Sequence, residues 1–289
     1  MGKILVTHND FDGVTCAVLF KAAWPDGQVY FDDYKTVNNR LRELVLHNPD
    51  AELFITDISP ENDPELINQL TIHGKVLLFD HHKTALPLAE NDWATVDTSM
   101  CGAMLFFNWL NKQFPEGKEL RKFGYLVWHA NDYDLWNHIS PLSKDINKLL
   151  TIYGRDKFIK RFLEYPCPEP FQPGEELLLV LEKEREDRYI QEVFNRSGKV
   201  HRDSSGRVFA LVFAEQYTSQ LGHYILDKHP VDYVVIVNFL NGTVSLRSNQ
   251  GGVDVSEIAK QHGGGGHPTA AGFTLPEACR ESVVELLTN

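Results

Sequence analysis

Cysteine is scarce in this chain, with four in 289 residues, Cys16, Cys101, Cys167 and Cys279, each far from the next. That spacing excludes a zinc knuckle and a disulfide framework and leaves buried or free thiols. No apolar run approaches the length of a bilayer-spanning helix. The opening Met1-Gly2-Lys3-Ile4-Leu5-Val6-Thr7-His8 also lacks the apolar core of a secretory leader, so a cytoplasmic protein with no membrane attachment is expected. Positive charge is short as well. With 28 Lys and Arg against 40 Asp and Glu, a net charge of −12 argues against a long, sequence-independent nucleic-acid track, whose affinity comes from many cationic contacts to phosphates. A short anionic substrate is still open to it, because a few fixed cations together with bound metal can hold one or two phosphates.

What the chain has is an alternation of strand and helix signals. Strands are expected near 3–7, 28–33, 52–56 and 75–79, with helices near 13–24, 38–46 and 63–71 between them. This βαβ pattern predicts an α/β fold with a buried parallel sheet. Helices are expected from Gly102 to Lys112, from Lys118 to Trp128 and again through Leu150. Pro166, Pro168, Pro170 and Pro173 mark a boundary that no helix or central strand tolerates. Beyond it, Glu175 to Arg196 reads as one long connecting helix. Strand-like runs at Val208–Phe213, Tyr233–Phe239 and Thr243–Arg247 follow, with helices near Ser219–Lys228, Val253–His262 and Glu277–Leu287. Three segments are therefore expected: 1–165, a linker and connecting helix over 166–198, and a smaller α/β domain over 199–289.

Four apolar runs stop at acidic or histidine clusters. They are Ile4-Leu5-Val6 before His8, Asp10 and Asp12; Leu53-Phe54-Ile55 before Asp57; Val76 to Phe79 before Asp80-His81-His82; and Tyr125-Leu126-Val127 before His129, Asp132 and Asp134. The carboxyl ends of parallel strands form the functional crevice of open α/β sheets, so the first three clusters are expected to converge there, joined by the fourth. Carboxylates gathered within 4 Å repel by about 4 kcal/mol per pair at an effective dielectric near 20. Interleaved histidines make a divalent cation the better way to offset this. Each cluster has a plainer reading: Asp10 and Asp12 suit a helix start, Asp57 a turn, and His129 and His138 aromatic packing. Asp80-His81-His82 is hardest to assign to packing, with His81 the natural metal ligand and His82 placed to donate to a substrate phosphate. Only one of Asp132 and Asp134 need bind metal, and Asp132 is favoured by its position after a helix. The run Gly263-Gly264-Gly265-Gly266-His267, with Arg247 nearby in sequence, reads as an anion clamp or, alternatively, a flexible hinge.

As an ordered set these residues resemble the DHH phosphoesterase family, named for the triplet that here is Asp80-His81-His82. The segment Gly263 to Phe273 is similar to the signature of the DHH-associated substrate domain. The opening His-x-Asp-x-Asp-Gly is nearer to the spelling of RecJ-type exonucleases. The resemblance implies an N-terminal parallel-sheet catalytic domain, a connecting helix and a smaller C-terminal α/β substrate-binding domain, with the active site in the cleft between them. It implies one metal on His8, Asp10 and Asp57 and a second on Asp12, Asp57, His81 and Asp132, with Asp57 bridging and Asp80 orienting its neighbours. An oxygen-rich set with imidazoles and no thiolate suits Mn²⁺ or Mg²⁺, and the resemblance favours two Mn²⁺. Arg247, Gly264, Gly265, Gly266 and His267 are then expected to hold substrate.

The expected reaction is hydrolysis of short oligonucleotides, or of linear dinucleotides such as pGpG or pApA, to mononucleotides. A RecJ-like single-strand exonuclease, a 3′-phosphoadenosine 5′-phosphate phosphatase and a cyclic dinucleotide phosphodiesterase are the competing enzymes. A metal- and nucleotide-binding sensor is the competing non-enzyme, and two full acidic shells speak against it.

Overall fold

A computed structural model describes residues 2–60, 63–115, 118–167, 169 and 171–279. In chain order the elements are β1 (Lys3–Thr7), α1 (Phe11–Ala23), β2 (Gln28–Phe31), α2 (Val37–His47), β3 (Glu52–Thr56), α3 (Pro64–His73) and β4 (Val76–Asp80). A 3₁₀ helix (Lys83–Glu90) leads to β5 (Ala94–Val96), then α4 (Gly102–Gln113), α5 (Lys118–Arg121), α6 (Gly124–Asp134), α7 (Pro141–Tyr153), α8 (Arg155–Glu164) and α9 (Glu175–Ser197). The rest comprises β6 (Lys199–Arg202), β7 (Val208–Phe213), α10 (Thr218–Lys228), β8 (Tyr233–Asn238), β9 (Thr243–Ser248), α11 (Val255–Gln261), β10 (Gly265–His267) and β11 (Ala270–Thr274). Pro168 and Pro170, two of the expected linker prolines, and most of the expected Glu277–Leu287 helix lie outside the described residues. The chain divides into two compact units, Met1–Leu179 and Val180–Asn289.

In the first unit, five parallel strands take the order β2-β1-β3-β4-β5. Side chains alternate across a strand, so each strand feeds two cores. Leu5, Phe54 and Phe79 pack with α1, α4, α6, α7 and α8 on one face. Ile4, Val6, Leu53, Ile55 and Leu78 pack with Leu41 and Leu44 of α2 and Leu66 and Leu70 of α3 on the other. Burial on both faces explains why these strands read as continuous apolar runs.

The helix expected over 118–128 is two pieces, and the fourth cluster lies on α6 itself rather than after it. The edge strand β5 has three residues, too few to leave a periodic pattern.

The second unit holds a mixed sheet of order β10-β11-β9-β8-β7-β6, in which only β7 and β8 pair parallel, joined through α10. Ala210, Val212, Val234 and Ile236 pack against Leu221 and Ile225 of α10, and Tyr233, Val237 and Leu246 pack with Val255 and Ala259 of α11. The glycine run, expected as an anion clamp or a flexible hinge, is partly taken up in regular structure. The Gly263 and Gly264 amides donate to Lys260 and Ala259 carbonyls at the end of α11, and Gly265–His267 forms an edge strand on β11. A side chain at Gly264 would meet the Gly272 carbonyl at 2.1 Å, so glycine is needed there for close packing.

Candidate metal centre

The chain runs from β1 out to β2 and back to β3 on the other side of β1, so the strand order reverses between β1 and β3. Crevices in open α/β sheets form at the carboxyl ends of strands flanking such a reversal. His8 and Asp10 leave the end of β1, Asp57 leaves β3, and Asp80, His81 and His82 leave the neighbouring β4. Buried hydroxyls tie these strand ends together: Thr56 Oγ1 donates to Thr7 Oγ1 at 2.9 Å, and Thr7 donates to the Gly13 carbonyl at 3.1 Å.

Among the described residues three groups of potential ligands meet there: His8 with Asp10 and Asp57, Asp12 with His81 and Asp134, and Asp57 with Asp80, His81 and His82. Asp57 stands between the first two. Its Oδ2 is 3.9 Å from His8 Nδ1, and its Oδ1 is 3.3 Å from His81 Nε2. His81 Nε2 also faces Asp134 Oδ2 at 3.2 Å and Asp12 Oδ2 at 4.0 Å. Asp10 caps α1 through the Gly13 amide and pairs with His8 at 2.8 Å. Asp12 is fixed by the first turn of α4, accepting from the Gly102 and Ala103 amides at 2.7 and 2.8 Å. Asp57 holds a left-handed backbone, φ 56°, unusual for a residue with a side chain. Gly102 lets α4 approach: a Cβ there would meet Asp57 Cβ at 2.9 Å and Asp12 Oδ2 at 3.0 Å.

The electrostatics follow from this crowding. Burial, then the charges of Asp10, Asp12 and Asp134, pushes the Asp57 carboxyl well up. Burial and Asp10 raise Asp12, and burial with Asp12 and Asp10 lifts Asp134 to about 8. Loss of hydration would raise Asp10 too, but the His8 hydrogen bond and charge outweigh it and bring Asp10 down to about 2. Burial lowers His81. His82 goes up in spite of burial, because its Nδ1 lies 2.7 Å from Asp80 Oδ1. Both oxygens of Asp57, His81 Nε2 and Asp134 Oδ2 are buried without a hydrogen bond. Buried acceptors left this way cost about 1–3 kcal/mol each or more when charged. Divalent cations would satisfy acceptors of this kind, and the carboxylate–imidazole set fits them.

Asp132, favoured from sequence as the fourth cluster's ligand, has another job. Its carboxylate accepts from the Ile139 amide at 2.8 Å, the Ser140 amide at 3.2 Å and the Ser143 hydroxyl at 2.5 Å, holding the start of α7. Residues two apart on a helix point about 200° away from each other, so with Asp132 turned to α7, Asp134 turns to the centre. His129 joins the same structural network through Ser143 at 2.9 Å. In the second unit, Arg247 is half-buried, donating to the Leu246 carbonyl at 2.9 Å and Ser219 Oγ at 3.4 Å, neither of them charged. Gly265, Gly266 and His267 are exposed. Tyr34, whose hydroxyl lies 3.0 Å from His82 Nε2, and Gly102 belong to the centre without standing in any of the sequence clusters. An aromatic residue in a polar stretch between β2 and α2 was the one available sign of Tyr34.

Residues 210–289 match the DHHA1 domain family. Over 97% of this chain and 74% of the relative, the sequence is 31% identical to oligoribonuclease NrnB of Bacillus subtilis (strain 168). Among solved structures, the fold is similar to the pGpG-specific phosphodiesterase PggH from Vibrio cholerae, at TM-score 0.54 and 16% identity over 99% of this chain and 97% of that one. It is also similar to the exonuclease RecJ bound to manganese, at TM-score 0.56 and 16% identity over 96% of this chain and 86% of that one. A doubly wound domain with an acid–imidazole centre at its switch point, followed by a DHHA1 region, places the molecule among phosphoesterases that cleave phosphodiester bonds. The chain belongs to the DHH phosphoesterase family.

Proposed function

We propose that this chain hydrolyses short oligonucleotides, linear dinucleotides such as pGpG or pApA among them, to mononucleotides. Two Mn²⁺ ions, replaceable by Mg²⁺, would be held by His8, Asp10 and Asp57 and by Asp12, Asp57, His81 and Asp134. When bound, such a pair activates water and offsets charge on the entering and leaving oxygens of an in-line displacement at phosphorus. Asp57 belongs to both sets because its two oxygens face different groups. Asp12 stays oriented by the α4 amides. Asp80 fixes Nδ1 of His82, and Nε2, which lies 3.0 Å from the Tyr34 hydroxyl, is the nitrogen offered to a phosphate oxygen where negative charge grows. Arg247, Gly264, Gly265, Gly266 and His267 are assigned to substrate binding.

The observation that carries this reading is the buried, unpaired acceptor set around Asp57 and His81. Similarity to an oligoribonuclease and to a pGpG phosphodiesterase supports a short substrate, as does the net charge of −12. Incubation with Mn²⁺ and a ladder running from dinucleotides to long single strands tests it. The highest kcat/KM is expected at the short end. A preference for the longest strands would replace it with the RecJ-like exonuclease reading.

A further inference from the structure

We propose that Tyr34 is a substrate-contact residue whose ring stacks on a base of the nucleotide held at the centre. The inference rests on the oligonucleotide reading above and names a specificity element that reading lacks. Tyr34 lies between β2 and α2, and the turn that carries it is tied down. Asp33 Oδ1 accepts from the Lys35 and Thr36 amides at 2.8 and 3.1 Å, and the Asp33 carbonyl accepts from the Val37 amide at 3.0 Å. This is an Asx turn leading into a helix, which fixes a loop side chain without burying it. From that turn the ring reaches two histidines of the centre, with centroids 5.2 Å from His8 and 5.8 Å from His82. The hydroxyl lies 3.0 Å from His82 Nε2, the nitrogen that Asp80 leaves facing outward. Tyr34 is nevertheless 41% exposed.

An exposed aromatic ring pinned within reach of a phosphate-binding imidazole suits a nucleobase. Bases of every kind stack on such a ring, which lets one site accept different sequences. A tyrosine that only positioned His82 through its hydroxyl would have no need of a ring two-fifths exposed to water. Aromatic packing against histidine is served equally well by a buried ring.

The test compares kcat/KM on a linear dinucleotide and on its abasic analogue, which keeps the sugars and phosphates but has no bases. In Tyr34→Ala, the ratio of dinucleotide to abasic kcat/KM is expected to fall about tenfold, mostly through KM on the dinucleotide, as loss of one stacking partner predicts. Tyr34→Phe, which keeps the ring and removes the hydroxyl, is expected to hold the ratio near that of the unaltered protein. An unchanged ratio in Tyr34→Ala, with both substrates slowed alike, would assign Tyr34 to positioning His82 and overturn the stacking role. Failure of the unaltered protein to cleave either substrate would overturn the oligonucleotide reading itself, and this assignment with it.

Discussion

Asp57 concentrates the cost of the site in one residue. Its left-handed backbone is a conformation that costs about 1–3 kcal/mol outside glycine, and its carboxyl is buried among three others. Asn tolerates that backbone better than most residues and carries no charge. Asp57→Asn is therefore expected to raise the melting temperature of the metal-free protein while lowering turnover by about a hundredfold or more. Thermal melts in chelator alongside single-substrate kinetics measure both. The neighbouring pair on α6 separates by role. Asp134→Asn is expected to lose turnover with the fold intact, whereas Asp132→Asn, which weakens three hydrogen bonds at the start of α7, is expected to cost about 1–3 kcal/mol of stability and little turnover per folded molecule. Equal losses of turnover in the two variants would undo the distinction drawn here. The sequence left this pair open for a physical reason. In a turn, residues two apart can share a direction, and only the helix shows that these two cannot.

At the scale of elements, α4 is the buttress of the centre. Its first two amides hold Asp12, and its leading glycine lets it pass within contact of Asp57. Gly102→Ala is expected to push α4 outward and lower affinity for Mn²⁺ by about 10- to 100-fold, the range typical of losing support behind a ligand; calorimetric titration reads it directly. A second joint lies at the start of α9. Arg161 Nε and Nη2 bond Glu175 Oε1 and Oε2 at 2.8 and 2.9 Å, both side chains being buried. Burial would raise Glu175, but Arg161 outweighs it and holds the carboxyl low. The stability this pair contributes is present above the unfolded carboxyl's pKa, about 4.3, and is lost as pH falls through the lower folded value. Glu175→Gln is expected to cost about 3–5 kcal/mol at neutral pH by removing the carboxylate charge that offsets the buried Arg161 guanidinium, and to flatten the acid limb of the stability profile in denaturant titrations. Three of the four site clusters were legible because buried parallel strands end abruptly in polar residues. The fourth sits within a helix, α6, where Leu126 and Val127 are buried and Tyr125 is exposed, so the apolar run before it does not end at a sheet edge. Strands β5, β6, β10 and β11 were not among the expected strands: the first three have three or four residues, too few to show a two-residue period, and β11 opens on Ala270-Ala271-Gly272 shortly after the glycine run.

For the whole molecule, the parallel sheet could be read from its apolar runs, but the order β2-β1-β3-β4-β5 could not. That order is what brings His8 and Asp10 beside Asp57. Strand order depends on which helix layers cover each face, a property of packing rather than of any one segment. No helix among the described residues is long and apolar enough to cross a membrane. The acidic centre links stability to pH and to metal. Without cation, Asp134 holds its proton up to about pH 8, while an unfolded carboxyl releases it near pH 4. The folded state therefore binds the extra proton in that window, and stability of the metal-free protein falls as pH rises through it. A divalent ion replaces the proton, so its affinity is expected to rise over the same range. Melting temperatures with chelator and with Mn²⁺ across that window check both signs.

Electron paramagnetic resonance during Mn²⁺ titration bears most directly on the arrangement proposed around Asp57. The unaltered protein should take up two ions per chain whose signals show spin coupling through a shared ligand, and Asp57→Asn should abolish that coupling. Two uncoupled ions, a single ion, or coupling that survives the substitution would contradict it.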